Sequence, residues 1–162
     1  MSCESSEQDL ERERKFVIEA LPEEVAAVSG DAIDQGYLAI GEGGEEVRVR
    51  RRAGQAWLTA KQGRGMVRRE VEIALTLEQF ERFWPLTEGR RVEKVRRVIP
   101  TADGARIEVD VYGGALSGLT VAEVEFDDAD AARAFAPPAW FGAEVTDDDA
   151  YKNRRLAVGG RP

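Results

Sequence analysis

The sequence predicts an α+β fold: an antiparallel sheet, closed or strongly curved, with helices packed outside it. Three observations lead there. Strand-like segments follow one another, with three or four helical segments between them. Along those strands, charged residues recur at i and i+2, so each pair projects from one face. The residues between them are mostly apolar or neutral, so the two faces of the sheet differ.

Taken in order, residues 1–9 are expected to form a flexible tail, 10–158 a single domain and 159–162 a second tail. The alternation over 11–18 predicts a strand. Residues 22–28 predict a short helix with Pro22 in its first turn. Strands follow at 36–40 and 46–52, joined by Gly41-Glu42-Gly43-Gly44, read as a hairpin loop. After a turn at Gly54 come strands at 56–61 and 67–75. Thr76-Leu77-Glu78-Gln79 has the form of a capping box, opening a helix that runs to Trp84 and stops at Pro85. Strands at 93–99 and 105–112 make a hairpin around Asp103-Gly104. A strand at 119–126, a helix at 128–135 ended by Pro137-Pro138, and a last helix at 147–156 complete the order. Trp57, Trp84, Trp140 and Phe80 read as packing residues.

Composition narrows the chemistry. The 162 residues suffice for one domain with a sizeable core, and 43% apolar with 33% charged residues is a globular balance. A net charge of -8 argues against nucleic acid or an anionic membrane as partner, although 23 Lys and Arg allow local basic clusters. Cys3 has no second cysteine to pair with, which suggests a reducing compartment. With no signal peptide or membrane span visible, the cytoplasm is the expected location. There is no His, which removes imidazole bases, imidazole ligands and Ser-His triads. Any metal must then sit on carboxylates, which points to hard ions such as Mg2+, Mn2+ or Ca2+.

The i, i+2 pairs carry the functional signal. They are Glu11/Glu13/Lys15, Arg48/Arg50, Arg68/Glu70/Glu72, Lys94/Arg96, Glu108/Asp110 and Glu123/Glu125. One such pair is an ordinary solvent face of a sheet. Six are not, because like charges side by side on one face cost stability. The grouping makes sense if the acids converge on metal ions and the bases on an anion, with the apolar faces turned outward under the helices. Several Arg and Lys facing several carboxylates suit a phosphate chain bridged to metal ions. No Walker-type loop is present to cradle it.

At this point the residues resemble the CYTH domain superfamily, the triphosphate tunnel metalloenzymes. Glu11-Arg12-Glu13-Arg14-Lys15-Phe16 matches the Glu-x-Glu-x-Lys signature of that family. The likeness continues through Gln35-Gly36-Tyr37-Leu38, Val47-Arg48-Val49-Arg50, Leu58-Thr59-Ala60-Lys61, Arg68-Arg69-Glu70-Val71-Glu72, Glu88-Gly89-Arg90-Arg91-Val92-Glu93-Lys94, Glu108-Val109-Asp110, Val121-Ala122-Glu123-Val124-Glu125, Glu144-Val145-Thr146 and Tyr151-Lys152-Asn153. Within the superfamily it is closest to short bacterial inorganic triphosphatases.

The resemblance implies a closed eight-stranded antiparallel tunnel barrel. It also implies hydrolysis of tripolyphosphate or another triphosphate with Mg2+ or Mn2+, as two ions. By position, Glu11 and Glu13 would hold metal, and Glu123 and Glu125, with Glu108 and Asp110, would complete the acidic side. Lys15, Arg48, Arg50, Lys61, Arg68, Lys94 and Arg96 would grip phosphate. Glu70 and Glu72 would orient those cations, or Glu72 would join the metal side. Tyr37 matches a proposed proton acceptor, and the implied catalytic set is Tyr37, Lys15 and Lys94. Lys152 sits where the C-terminal helix approaches the tunnel. Ala150 and Arg97 depart from the Arg and Tyr that relatives often carry there. An adenylate cyclase, a thiamine triphosphatase and a noncatalytic polyphosphate-binding module are the rival readings. A small-molecule triphosphate is the expected partner, and a homodimer stays open.

Overall fold

The computed structural model describes residues 13–63 and 69–162. Eight strands, β1 (Glu13–Val17), β2 (Asp31–Ile40), β3 (Glu46–Arg52), β4 (Gln55–Gln62), β5 (Arg69–Leu75), β6 (Arg91–Pro100), β7 (Arg106–Tyr112) and β8 (Thr120–Glu125), form one antiparallel sheet. Their order is β1-β8-β7-β6-β2-β3-β4-β5. Four helices accompany them: α1 (Glu23–Ala26), α2 (Leu77–Phe83), α3 (Ala129–Ala134) and α4 (Asn153–Gly159). The predicted β3 boundaries are reproduced, and the other strands differ from expectation mostly at their ends. The largest difference is β2, which begins five residues earlier because 31–36 pair with β6.

The sheet is not closed by hydrogen bonds between β1 and β5 among the described residues. The second edge of β1 is already taken. Val17 N donates to the Ala143 carbonyl at 2.9 Å, Val145 N to the Lys15 carbonyl at 2.8 Å, and Lys15 N to Thr146 Oγ1 at 3.1 Å. What forms is an eight-stranded sheet whose first strand is capped by the segment 142–146.

Direct cross-strand partners share a face, so the register sorts the side chains. One face carries Glu13, Lys15, Glu123, Glu125, Glu108, Asp110, Lys94, Arg96, Gln35, Tyr37, Arg48, Arg50, Thr59, Lys61, Glu70 and Glu72. The opposite face carries apolar clusters that lie under helices, with Asp34, Arg51, Arg91 and Arg97 among them and with Val71 and Ile73 of β5 exposed. Ile107, Val109, Ala122 and Val124 pack with Val25 of α1 and with Phe135, Trp140 and Phe141. Val49 and Ala56 pack with Phe80 and Trp84. Thr76 and Gln79 make the predicted capping box, which fixes the start of α2 above this second cluster. Pro85 does not end the chain's coiling there, since Trp84–Thr87 continues as a 3-10 turn, for which proline near the start is permissible.

A third apolar cluster lies on the polar face. Val92, Tyr112 and Val121, with Leu116 and Leu119, are covered by Leu156 of α4. The predicted helix over 147–156 is in fact broken. A 3-10 turn at Asp149–Tyr151 is capped by the Asp148 side chain, Lys152 is extended, and α4 follows. Gly160, with φ of 75°, terminates α4, and Arg161 donates to the Ser117 carbonyl at 3.0 Å. The expected N-terminal tail, and the predicted site residues Glu11 and Arg68, lie outside the described residues.

Candidate active site

Two neighbourhoods share the polar face. The first is built by β6, β7, β8 and β1. Asp110 is fully buried, and its carboxylate accepts from Lys94 Nζ at 2.6 Å and from Arg96 Nε and Nη2 at 2.7 Å each. Arg96 also donates to Glu108, and to Glu123 at 3.3 Å. Glu123 in turn meets Lys15 Nζ at 3.1 Å, and Lys15 donates to the Tyr151 carbonyl at 3.3 Å. Glu108 holds Arg106 at 3.1 Å. Burial alone would raise the Asp110 carboxyl, but Lys94 and Arg96 outweigh it and hold the pKa below the ordinary value. Burial dominates at Lys94 and lowers its ammonium pKa, with Asp110 opposing. At Arg96, burial is overcome by Asp110, Glu123 and Glu108, and the net shift is upward.

The second neighbourhood is built by β2, β3, β4 and β5. Gln35 Nε2 donates to the Tyr37 hydroxyl at 2.9 Å in a buried contact. Gly36 between them is required, because a Cβ there would collide with the buried Thr87 side chain. Arg48 reaches Glu46 at 3.4 Å through Nη1, while its buried Nε has no hydrogen-bond partner among the described residues. Arg50 has its pKa lowered by burial first and by Arg48 next, with Glu72 opposing. No hydrogen bond or ion pair engages Arg50 among the described residues; its contact is the Trp57 ring, with the guanidinium carbon 5.5 Å from the centroid. Lys61 lies 3.8 Å from Glu70, and Thr59 Oγ1 donates to Glu72 at 2.8 Å.

Several sequence expectations change here. Burial pushes the Tyr37 phenol up to about 12 even with Arg48 beside it, so it stays protonated at neutral pH and is suited to donating a hydrogen bond rather than accepting a proton. Glu72 stands with Thr59 and Arg50, on the basic side. Lys152 is paired with Asp149 at the surface, and the Tyr151 carbonyl is the group from that segment that reaches the polar face. Arg97 lies on the outer face and donates to the Val28 carbonyl at 2.9 Å, so its departure from the family pattern does not touch the interior. Sequence reasoning missed Gln35, Asp31 and Arg52. Gln35 is two residues before Tyr37, and Arg52 continues the Arg48/Arg50 period to pair with Asp31 at 2.9 Å. Trp57, expected to pack, does so against the Arg50 guanidinium on the polar face.

No three carboxylates among the described residues come together as a metal cage. The donor set nevertheless suits a hard divalent cation. It is oxygen-only, and acids stand directly opposite one another at Glu13/Glu125 and Glu108/Glu123. The Glu125 carboxyl is raised by burial and by Glu108, which a cation between them would reverse.

The comparisons agree with this layout. No family model matches the chain. The chain is 46% identical over 149 residues to the inorganic triphosphatase of Nitrosomonas europaea, covering 91% of this chain and 97% of that one. The chain belongs to the CYTH superfamily, alongside the bacterial inorganic triphosphatases. A second relative, the inorganic triphosphatase of Acetivibrio thermocellus, is 34% identical over 148 residues, 90% of this chain and 92% of that one. A crystal structure of an inorganic triphosphatase superposes with a TM-score of 0.79 at 42% identity, covering 94% of this chain and 97% of that one. As a CYTH chain, the protein places its signature lysine, Lys15, in an ion pair with Glu123.

Proposed function

We propose that this chain hydrolyses inorganic triphosphate to pyrophosphate and phosphate on its polar face, with a divalent metal ion, Mg2+ or Mn2+. The observation that carries this is the pair Arg48 and Arg50. Both are inward-facing, one has a buried donor without a partner, and the other has no anion bound to it among the described residues. Crowded cations with unused donors are costly unless an anion completes them. A phosphate chain fits, because guanidinium forks match phosphate oxygens and the neighbouring Lys15, Lys94 and Arg96 extend the positive line. The two triphosphatase relatives support the same substrate.

The chain's own residues divide the task. Arg48, Arg50 and Lys61, with Arg68 by resemblance, bind and orient the phosphates. Asp110 fixes Lys94 and Arg96 at hydrogen-bond distance, so their charge needs no rearrangement when negative charge develops on the leaving phosphate. Tyr37 donates its hydroxyl proton to a phosphate oxygen while Gln35 holds its lone pair. Glu11, Glu13, Glu108, Glu123 and Glu125 are the residues that would hold the metal, two ions in the form the resemblance implies. Bound there, a divalent ion neutralises phosphate oxygens that would otherwise repel the carboxylates. A closed tunnel around the substrate is part of the same proposal and rests on the resemblance.

The test is phosphate release from tripolyphosphate, pyrophosphate, ATP and thiamine triphosphate with Mg2+, Mn2+ or EDTA, with cyclic AMP measured in parallel. Metal-dependent release favouring tripolyphosphate is expected. Cyclic AMP as main product, or thiamine triphosphate as preferred substrate, would move the chain to another activity of the superfamily. Tripolyphosphate binding without turnover would leave a binding module.

A further inference from the structure

We infer that Trp57 is a positioning residue: its indole holds the Arg50 guanidinium in place while leaving the N–H donors of that group available for phosphate. The inference rests on the hydrolytic reading above and adds to it a residue that aligns one phosphate contact.

Among the described residues, four arginines lie over aromatic rings: Arg14 over Phe16 and Phe135, Arg50 over Trp57, Arg51 over Phe80 and Arg91 over Trp84. Three of them also spend their donors. Arg14 bonds Glu144 and the carbonyls of Ala132 and Phe135, Arg51 bonds Asp34 and Glu81, and Arg91 bonds Thr87 and the Trp84 carbonyl. Those three are structural clamps on the outer side of the sheet or under its helices. Arg50 differs in that no hydrogen bond engages it among the described residues, although it is half-buried on the polar face.

The chemistry of the two ways to hold a guanidinium explains the difference. A carboxylate would fix it through in-plane N–H groups, and those are the donors that a phosphate needs. A ring attracts it through the π-face, and the in-plane donors stay available. Strand parity aims Trp57 inward, because Ala56 and Leu58 on either side belong to the outer cluster with Phe80. On the far side of β4 its partner is Ala74, a small residue that leaves room for an indole. The acid whose charge acts on Arg50, Glu72, is itself bonded by Thr59 Oγ1 at 2.8 Å. Trp57 is therefore the group that limits Arg50's rotamers, and a pre-ordered side chain loses less entropy when it binds.

The experiment compares Trp57→Leu, Trp57→Phe, Arg50→Gln and the Trp57→Leu/Arg50→Gln double variant. It reads KM and kcat for tripolyphosphate and, separately, Kd for tripolyphosphate by calorimetry. Trp57→Leu is expected to raise KM and Kd about three- to thirty-fold with a smaller change in kcat. Trp57→Phe should recover most of that loss. In the Arg50→Gln background, Trp57→Leu should cost nothing further, as coupled residues require. Additive losses in the double variant, or unchanged KM and Kd in Trp57→Leu, would overturn the inference. A wild-type chain that binds tripolyphosphate without hydrolysing it would sink the hydrolytic reading instead, and the Kd comparison would still decide the role of Trp57.

Discussion

The two halves of the polar face use the same residue types to opposite effect. On β6, β7, β8 and β1, Lys15, Lys94 and Arg96 are bound to Glu123, Asp110 and Glu108, and their charge is matched before any ligand arrives. On β2, β3, β4 and β5, Arg48 and Arg50 keep donors in reserve. The first half resembles a preorganised support, and the second a receptor awaiting an anion. The difference teaches that an arginine on a polar face is informative through what already occupies its donors.

The sharpest way to break this comparison is to remove Asp110. Asp110→Ala leaves Lys94 buried without its carboxylate, and the expected cost is about 3–5 kcal/mol, measured by chemical denaturation. Arg50→Gln should change stability by less than about 1 kcal/mol, since it relieves a crowded cation. Equal losses in both variants would erase the distinction between the halves.

Arg48→Gln sharpens the other side. It should lower kcat/KM for tripolyphosphate about 10- to 150-fold, the value of one or two charged hydrogen bonds, with an unchanged melting temperature. A fall in stability without a fall in kcat/KM would make Arg48 structural.

Acid separates the halves by titration. The folded pKa of Asp110 lies below the ordinary 3.8, so the folded state holds fewer protons than the unfolded one. Its stabilisation is fully present above that ordinary value and is lost as pH falls through the lowered folded value. Unfolding followed by circular dichroism down the acid range should show a steep loss in the wild-type chain, and a shallower one in Asp110→Asn.

The smallest effect concerns Tyr37. Its pKa is pushed up to about 12 from 10.0, mainly by burial, so its contribution is fully present below pH 10 and is lost as pH rises through 12. Tyr37→Phe should flatten that alkaline loss and lower kcat by less than about tenfold, the value of one neutral hydrogen bond. Loss of a whole limb of the kcat pH profile would restore Tyr37 as a proton acceptor.

Much of this was legible in the chain alone. Period-two alternation is a local property, so residue spacing was enough to place Glu13 with Lys15, Arg48 with Arg50 and Glu108 with Asp110 on shared faces. The capping box at Thr76 and the boundaries of β3 depend on a few neighbouring residues, and they too were readable. The absence of His settled that any metal here takes oxygen donors.

Pairing across the sheet was not readable, because it depends on strand order and register. Asp110 meets Lys94 and Arg96 because β7 lies beside β6 at one particular offset, and Lys15 meets Glu123 because the first strand pairs with the eighth. The same offsets place the acids of β7 and β8 beside Lys15, Lys94 and Arg96, and made Trp57 the neighbour of Arg50. Lys152 pairs with Asp149 at the surface because the Asp148 side chain caps a turn that breaks the predicted helix before it. Spacing along the chain decides the face of a charge, and the tertiary fold decides whether that charge is already spent.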